Sequence, residues 1–342
     1  MWGVIKKAIN SDLSEPLNDK LGIVNSNGDK YEPQIRQVQK LGNYFETDAY
    51  VNHGFRRVLS DNHYVYVTGG GGAQGDERRV VKFDRFTLNE ISYGDTHNII
   101  TATGFTQDDE YLYVCGREGP GISRINRIEK NTLNVLNSTQ IGEGHQFMGL
   151  VVDSIHVYFP SKNRVEKRNK TTLALVGATA TFSDRITRSI VEDDSFIYTS
   201  FDNPNVIKKF NKSDMAEVAE TTGLSVITPS MISKGDYIYA CDGVKLRKIN
   251  KSTMSIDETL NIGEGTTVWV SFFDDIYVFT EGSIIEIDVD TFQVKNIKRI
   301  LSPIIRGGYA ESDNIYFVDN AKLYLLNKNK YDFIYAYQKE EV

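Results

Sequence analysis

The chain has 342 residues, 40% of them hydrophobic, which is enough apolar side chain for a sizeable buried core. Its formal charge is −7 and its pI about 5.4, with Lys and Arg scattered along its length, which argues against nucleic acid as the main partner. No stretch reaches the ~18 apolar residues of a membrane helix, so no membrane insertion is expected, and 19 Tyr and 17 Phe set against seven Pro favour a β-rich protein.

Residues 1–50 stand apart from everything that follows. Met1 to Lys7 lacks the apolar run of a secretory signal, so a soluble product made in the cytoplasm is expected. Val4, Ile5, Ala8 and Ile9 share one face of a short predicted helix, and Asn25-Ser26-Asn27-Gly28-Asp29 reads as a turn or linker.

From residue 51 onward a short strand of the form apolar-Tyr-apolar recurs, centred on Tyr66, Tyr113, Tyr158, Tyr198, Tyr239, Tyr277 and Tyr316. Successive copies lie 47, 45, 40, 41, 38 and 39 residues apart. A polar hairpin signal precedes most of them, such as Asp61-Asn62, Asp108-Asp109 or Asp193-Asp194. A second signal follows each, as in Ile128-Glu129-Lys130-Asn131-Thr132-Leu133 or Ile249-Asn250-Lys251-Ser252-Thr253-Met254: an apolar residue, Asn or Asp, usually Lys, and a large apolar residue closing a tight turn. An inner strand, the Tyr strand, a basic strand and an outer strand in about 40 residues form the unit of a β-propeller blade. Residues 51–342 therefore predict an all-β, seven-bladed β-propeller with four-stranded antiparallel blades, and residues 1–50 an N-terminal attachment arm. Two segments compete to complete the seventh blade, one near Asp332 to Tyr337 and one at Gln37 to Leu41.

Catalytic signatures are absent. Gly70 to Gly75 fits G-x-G-x-x-G formally but continues as a strand, without the helix N-terminus a pyrophosphate needs, and reads as a loop. His53, His63, His97, His145 and His156 show no metal-site spacing, so no metal and no cofactor is expected. Of four Asn-x-Ser/Thr sites, three follow from the Asn-Lys turn. Cys115 and Cys241 fall at equivalent places in repeats that are not neighbours, which predicts small buried residues and no disulfide.

Superposing the repeats on their Tyr residues puts Arg56, Thr103, Met148, Arg188, Pro229, Thr267 and Arg306 at one position near the start of the inner strand. Arg56, Arg188 and Arg306 are the candidate ligand-binding residues at the channel mouth, suited to phosphate or carboxylate; ion pairing with acids of neighbouring blades would use the same side chains. The loops at that end should carry recognition as well, with Arg117, Glu118 and His145 as candidates. Trp269 aligns with Val58, Phe105, Leu150, Ile190 and Met231, which predicts core packing over sugar stacking.

The opening Lys6-Lys7-Ala8-Ile9-Asn10-Ser11, followed by Pro16-Leu17-Asn18, resembles the N-terminal segment of tail-associated proteins from bacteriophages and phage-like elements of Gram-positive bacteria. The likeness spans about 18 residues. It implies an arm, including Trp2, Val4, Ile5, Ile9 and Leu13, that anchors the propeller to tail or baseplate proteins in a virion or tail-like particle. The expected function is non-enzymatic binding of a host cell-surface polysaccharide, a glycan or anionic wall polymer. A glycan lyase or hydrolase at the channel mouth and a purely structural tail component are the alternatives, and homo-oligomerisation stays open.

Overall fold

The computed structural model describes residues 55–69, 78–119, 121–141, 149–161, 164–182, 187–202, 204–226, 230–262, 267–299, 305–318, 323–328 and 333–336. They form seven four-stranded antiparallel sheets and no α-helix. Blade one consists of β1 (Phe55–Ser60), β2 (Tyr64–Gly69), β3 (Arg79–Asp84) and β4 (Glu90–Asp95), paired in that order. The other blades begin at Thr101, Val151, Thr187, Met231, Thr267 and Gly307, and end at Ile141, Ala178, Thr221, Asn261, Arg299 and Ala336. Each inner strand touches the next inner strand, and the last, Gly307–Glu311, touches β1. The molecule is thus a closed seven-bladed β-propeller. The seventh blade is completed by its own outer strand, Phe333–Ala336, paired with Leu323–Asn327. Gln37 to Leu41 lies outside the described residues.

The alternation within the Tyr strand explains why blades stack. Val65 and Val67 belong to a core shared with Tyr316, Val318, Leu323 and Leu325 of blade seven, whereas Tyr66 between them belongs to the core shared with Ile99, Leu112 and Val114 of blade two. Successive side chains of a strand point to opposite faces, so one tripeptide serves two interfaces. The pattern repeats around the ring, giving one hydrophobic core per interface and no uncovered blade face. Burying each such large apolar side chain contributes about 1.5–3 kcal/mol. Cys115 and Cys241 are buried within these cores and are not joined in a disulfide, and burial pushes the Cys115 thiol up to about 12.

The turn between the third and outer strands has its own logic. Asn169 Oδ1 accepts from the N–H groups of Thr171 and Thr172 and from the Thr172 hydroxyl, and Asp84 and Asp288 do the same in their blades. The apolar residue that closes the turn is forced to positive φ: Leu88 (52°), Leu133 (58°), Leu173 (58°), Met215 (62°), Met254 (58°) and Phe292 (53°). A non-glycine residue costs about 1–2 kcal/mol there, and each of the six is buried in the core shared with the preceding blade, which more than offsets the strain.

Antiparallel pairing fixes two faces. The turns inside each hairpin (inner to Tyr strand, third to outer strand) lie at one end of the ring, and the loops leading into the inner and third strands lie at the other, the mouth face.

Candidate functional site

At the mouth face four of the seven inner strands start with a β-bulge. The register shifts between Phe55 and Arg57, Ala102 and Gly104, Thr187 and Ile190, and Thr267 and Trp269. Bulges redirect side chains and favour rims and sites. Here the bulge at Arg56 turns the next residue, Arg57, inward.

Arg57 is 8% exposed and ties its own blade to three others. Its Nε donates to the Thr103 carbonyl at 3.1 Å, and its Nη1 donates to the carbonyls of Arg56 and Arg306 at 2.8 Å each. Its guanidinium carbon lies 4.5 Å from the centroid of the Trp269 ring, a cation–π contact with blade six. No carboxylate pairs with Arg57 among the described residues. Burial, then the positive charges of Arg56 and Arg306, pull its pKa down to about 10, so it stays protonated at neutral pH. A desolvated cation solvated by carbonyls, with two more guanidinium charges beside it, makes this part of the mouth a positive field suited to an anion.

Two of the three arginines expected at the mouth are therefore brought together, with Arg57 between them. Arg56 and Arg306 are partly buried and each has interaction partners of its own. Arg188 lies in the bulge that opens Thr187–Glu192, and its side chain is outside the described residues. Trp269 packs on the core of blades six and seven, as the alignment predicts, while carrying Arg57 on its ring. Glu118 is engaged within its own blade, accepting from Arg124 Nε and Nη2 at 3.1 and 2.9 Å and from Gln140 at 3.2 Å. Arg117 is exposed and its Nε donates to the Gly119 carbonyl. His145, the Gly70 to Gly75 loop and the arm residues Trp2, Val4, Ile5, Ile9 and Leu13 lie outside the described residues. No group of metal-ligating side chains occurs among the described residues.

The opposite face is built from a repeated charged interlock. Asp61, Asp108, Asp153 and Asp193 each accept two backbone N–H groups of their hairpin through Oδ1 and the hydroxyl of the Tyr five residues later through Oδ2. A lysine of the next blade completes each one: Lys130, Lys170, Lys212 and Lys251 lie 3.3, 2.9, 3.5 and 3.6 Å from the respective carboxylates. Burial pushes these carboxyls up, but the backbone N–H groups, the Tyr hydroxyls and the Lys charges outweigh it, leaving each below the ordinary value. Across the ring closure Glu311 and Arg85 take the same places, 2.9 Å apart, and Glu311 also accepts from Ser60 Oγ at 2.5 Å. A cleft of about 350 Å³ between blades one and two is lined by Asp61, Tyr64, Glu110, Tyr111, Glu129 and Lys130, so it borders the first interlock. The Asp-to-Tyr spacing of five was visible in the sequence; that the Lys of the following repeat joined them was not.

No family model and no curated protein matches this chain. Among solved structures it is similar to the computationally designed Ika8 protein, with TM-score 0.63 and 10% identity over 84% of this chain and 87% of that one. It is similar also to the WD40 β-propeller domain of Doa1, with TM-score 0.62 and 12% identity over 80% of this chain and 92% of that one. At these identities the likeness shows the propeller fold alone.

Proposed function

We propose that the protein is a non-enzymatic binding component of a phage tail or tail-like particle, anchored through residues 1–50 and holding an anionic polymer of the host surface at its mouth. The ligand half rests on Arg57, a buried guanidinium coordinated by carbonyls rather than carboxylates, with the charges of Arg56 and Arg306 beside it. Phosphate or carboxylate groups along a polymer are the chemistry that such a field selects. The anchoring half rests on the resemblance of the first 18 residues to tail-associated segments.

The ligand claim is tested with the full-length protein and isolated Gram-positive wall glycan, with and without its phosphate-bearing polymer. Binding to the polymer-bearing glycan alone is expected, weakened about tenfold or more in an Arg56→Ala, Arg306→Ala double variant and reduced by salt. Equal binding by the double variant overturns the mouth as the site. Deleting residues 1–50 is expected to abolish incorporation into particles; unchanged incorporation overturns the anchor.

A further inference from the structure

A cation–π contact accompanies the seam in four blades, and in a fifth its ring is an imidazole. The first residue of the Tyr strand shares a face with the Tyr two positions on, towards the next blade. Tyr64, Tyr111, Phe196 and Tyr237 hold that place, and the third-strand cation opposite the Tyr lies over each: Lys82, Arg127, Lys209 and Lys248 stand 3.7, 3.5, 3.9 and 4.7 Å from the respective ring centroids. Blade three has His156 there, its ring 6.1 Å from that of Tyr158, as Phe196 is 6.4 Å from Tyr198. Its third-strand cation, Lys167, pairs across from Tyr158 and is 9% exposed. Lys167 Nζ donates to the Lys212 carbonyl of blade four at 2.7 Å, just as Lys209 donates to the Lys251 carbonyl at 2.9 Å.

The carboxylates around that imidazole are already engaged. His156 Nδ1 lies 3.8 Å from Asp153 Oδ1, beyond hydrogen-bond reach. Oδ1 accepts the N–H groups of Ile155 and His156, while Oδ2 accepts the Tyr158 hydroxyl and faces Lys212 at 3.5 Å. Glu192 of blade four is paired with Lys212, and Lys170 turns away to Asp108. A neutral imidazole offers Lys167 a π face; an imidazolium sets a third cation beside Lys167 and Lys212.

We propose that His156 makes the seam between blades three and four a proton-operated weak point, which loosens on mild acidification while the seams built on Tyr and Phe hold. Burial, then the Lys167 charge, pull the His156 imidazole below its ordinary 6.5; Asp153 opposes them and Lys212 adds to the fall. The opened chain therefore takes up the proton more readily than the closed seam. The seam is at full strength above 6.5 and weakens as pH falls through the lower folded value. The interlock carboxylates titrate below 3.8 and do not share this window.

Hydroxyl-radical footprinting of the full-length protein at pH 7.5 and 5.5 reads the seam through Tyr158, with Tyr198 of the next seam, equally buried, as the internal reference. The Tyr158 to Tyr198 oxidation ratio is expected to rise about threefold or more at the lower pH. An unchanged ratio overturns the proposal. In a His156→Phe variant, whose folding is checked by its melting temperature at pH 7.5, the ratio is expected to stay level; a rise there assigns the effect to another group and likewise overturns it. In the unaltered protein the His156 imidazole is followed by NMR, and a midpoint at or above 6.5 overturns the proposal independently of the variant.

Discussion

Arg57 donates to the carbonyl of Arg306 at 2.8 Å across 249 residues of chain, binding the first blade to the last. The same side chain reaches blade two through Thr103 and blade six through Trp269, so its loss strands three carbonyls and empties the indole face at once. Arg57→Met is expected to lower stability by about 2–4 kcal/mol in urea denaturation. Arg57→Lys should recover little of it, since one ammonium cannot reproduce the guanidinium fork.

The carboxylate interlocks set the acid limit of the fold. Asp61, Asp108, Asp153 and Asp193 all titrate below 3.8 in the folded ring. The ionised forms therefore stabilise the ring above the unfolded value, and this contribution is lost as pH falls through the lower folded values. Asp108→Asn is expected to cost about 1–2 kcal/mol at pH 7, by leaving Lys170 without its carboxylate, and to flatten the fall of melting temperature below pH about 4. A variant with an unaltered acid limb contradicts this.

The turn residues at positive φ reverse an ordinary ranking. Leu133 sits at φ 58° and is buried against blade one. Leu133→Ala is expected to cost about 2–5 kcal/mol through the lost burial. Leu133→Gly should cost about 1 kcal/mol less, because glycine is relieved of the left-handed strain that alanine keeps. Paired thermal melts of the two variants read the difference directly.

Gly308 is fixed by contact. Any Cβ at that position runs into the ring of Phe279 in blade six. Gly308→Ala is expected to destabilise by about 1–3 kcal/mol in denaturant titration. The size-compensating pair Gly308→Ala with Phe279→Leu should recover part of that loss.

The sequence displays the fold through Tyr66 and its six equivalents, because both blade faces must be apolar and the tripeptide shows it locally. Leu133 and its counterparts were equally visible as hydrophobes, but nothing in their type announces a left-handed backbone, which is imposed by burial against local preference. The mouth was located only to within one residue. Alignment selected Arg56, whereas the β-bulge, an irregularity that spacing does not reveal, turns Arg57 inward. The interlocks escaped because each is shared between two repeats, and comparing copies emphasises what lies within one.

Because every blade is made of four consecutive strands, the ring has no exchanged strand, and its first and last residues follow from parity. β1 starts at the mouth end beside the axis, and Phe333–Ala336, an even-numbered strand, finishes at that same end on the rim. Whatever precedes Phe55 or follows Ala336 joins the ring there. The chain therefore enters and leaves the described ring on the side that carries Arg57. Under the proposed function, an arm docked beside that entry and a polymer held at the mouth contend for one side, and the affinity of the ring for an anionic chain then reports whether it is mounted.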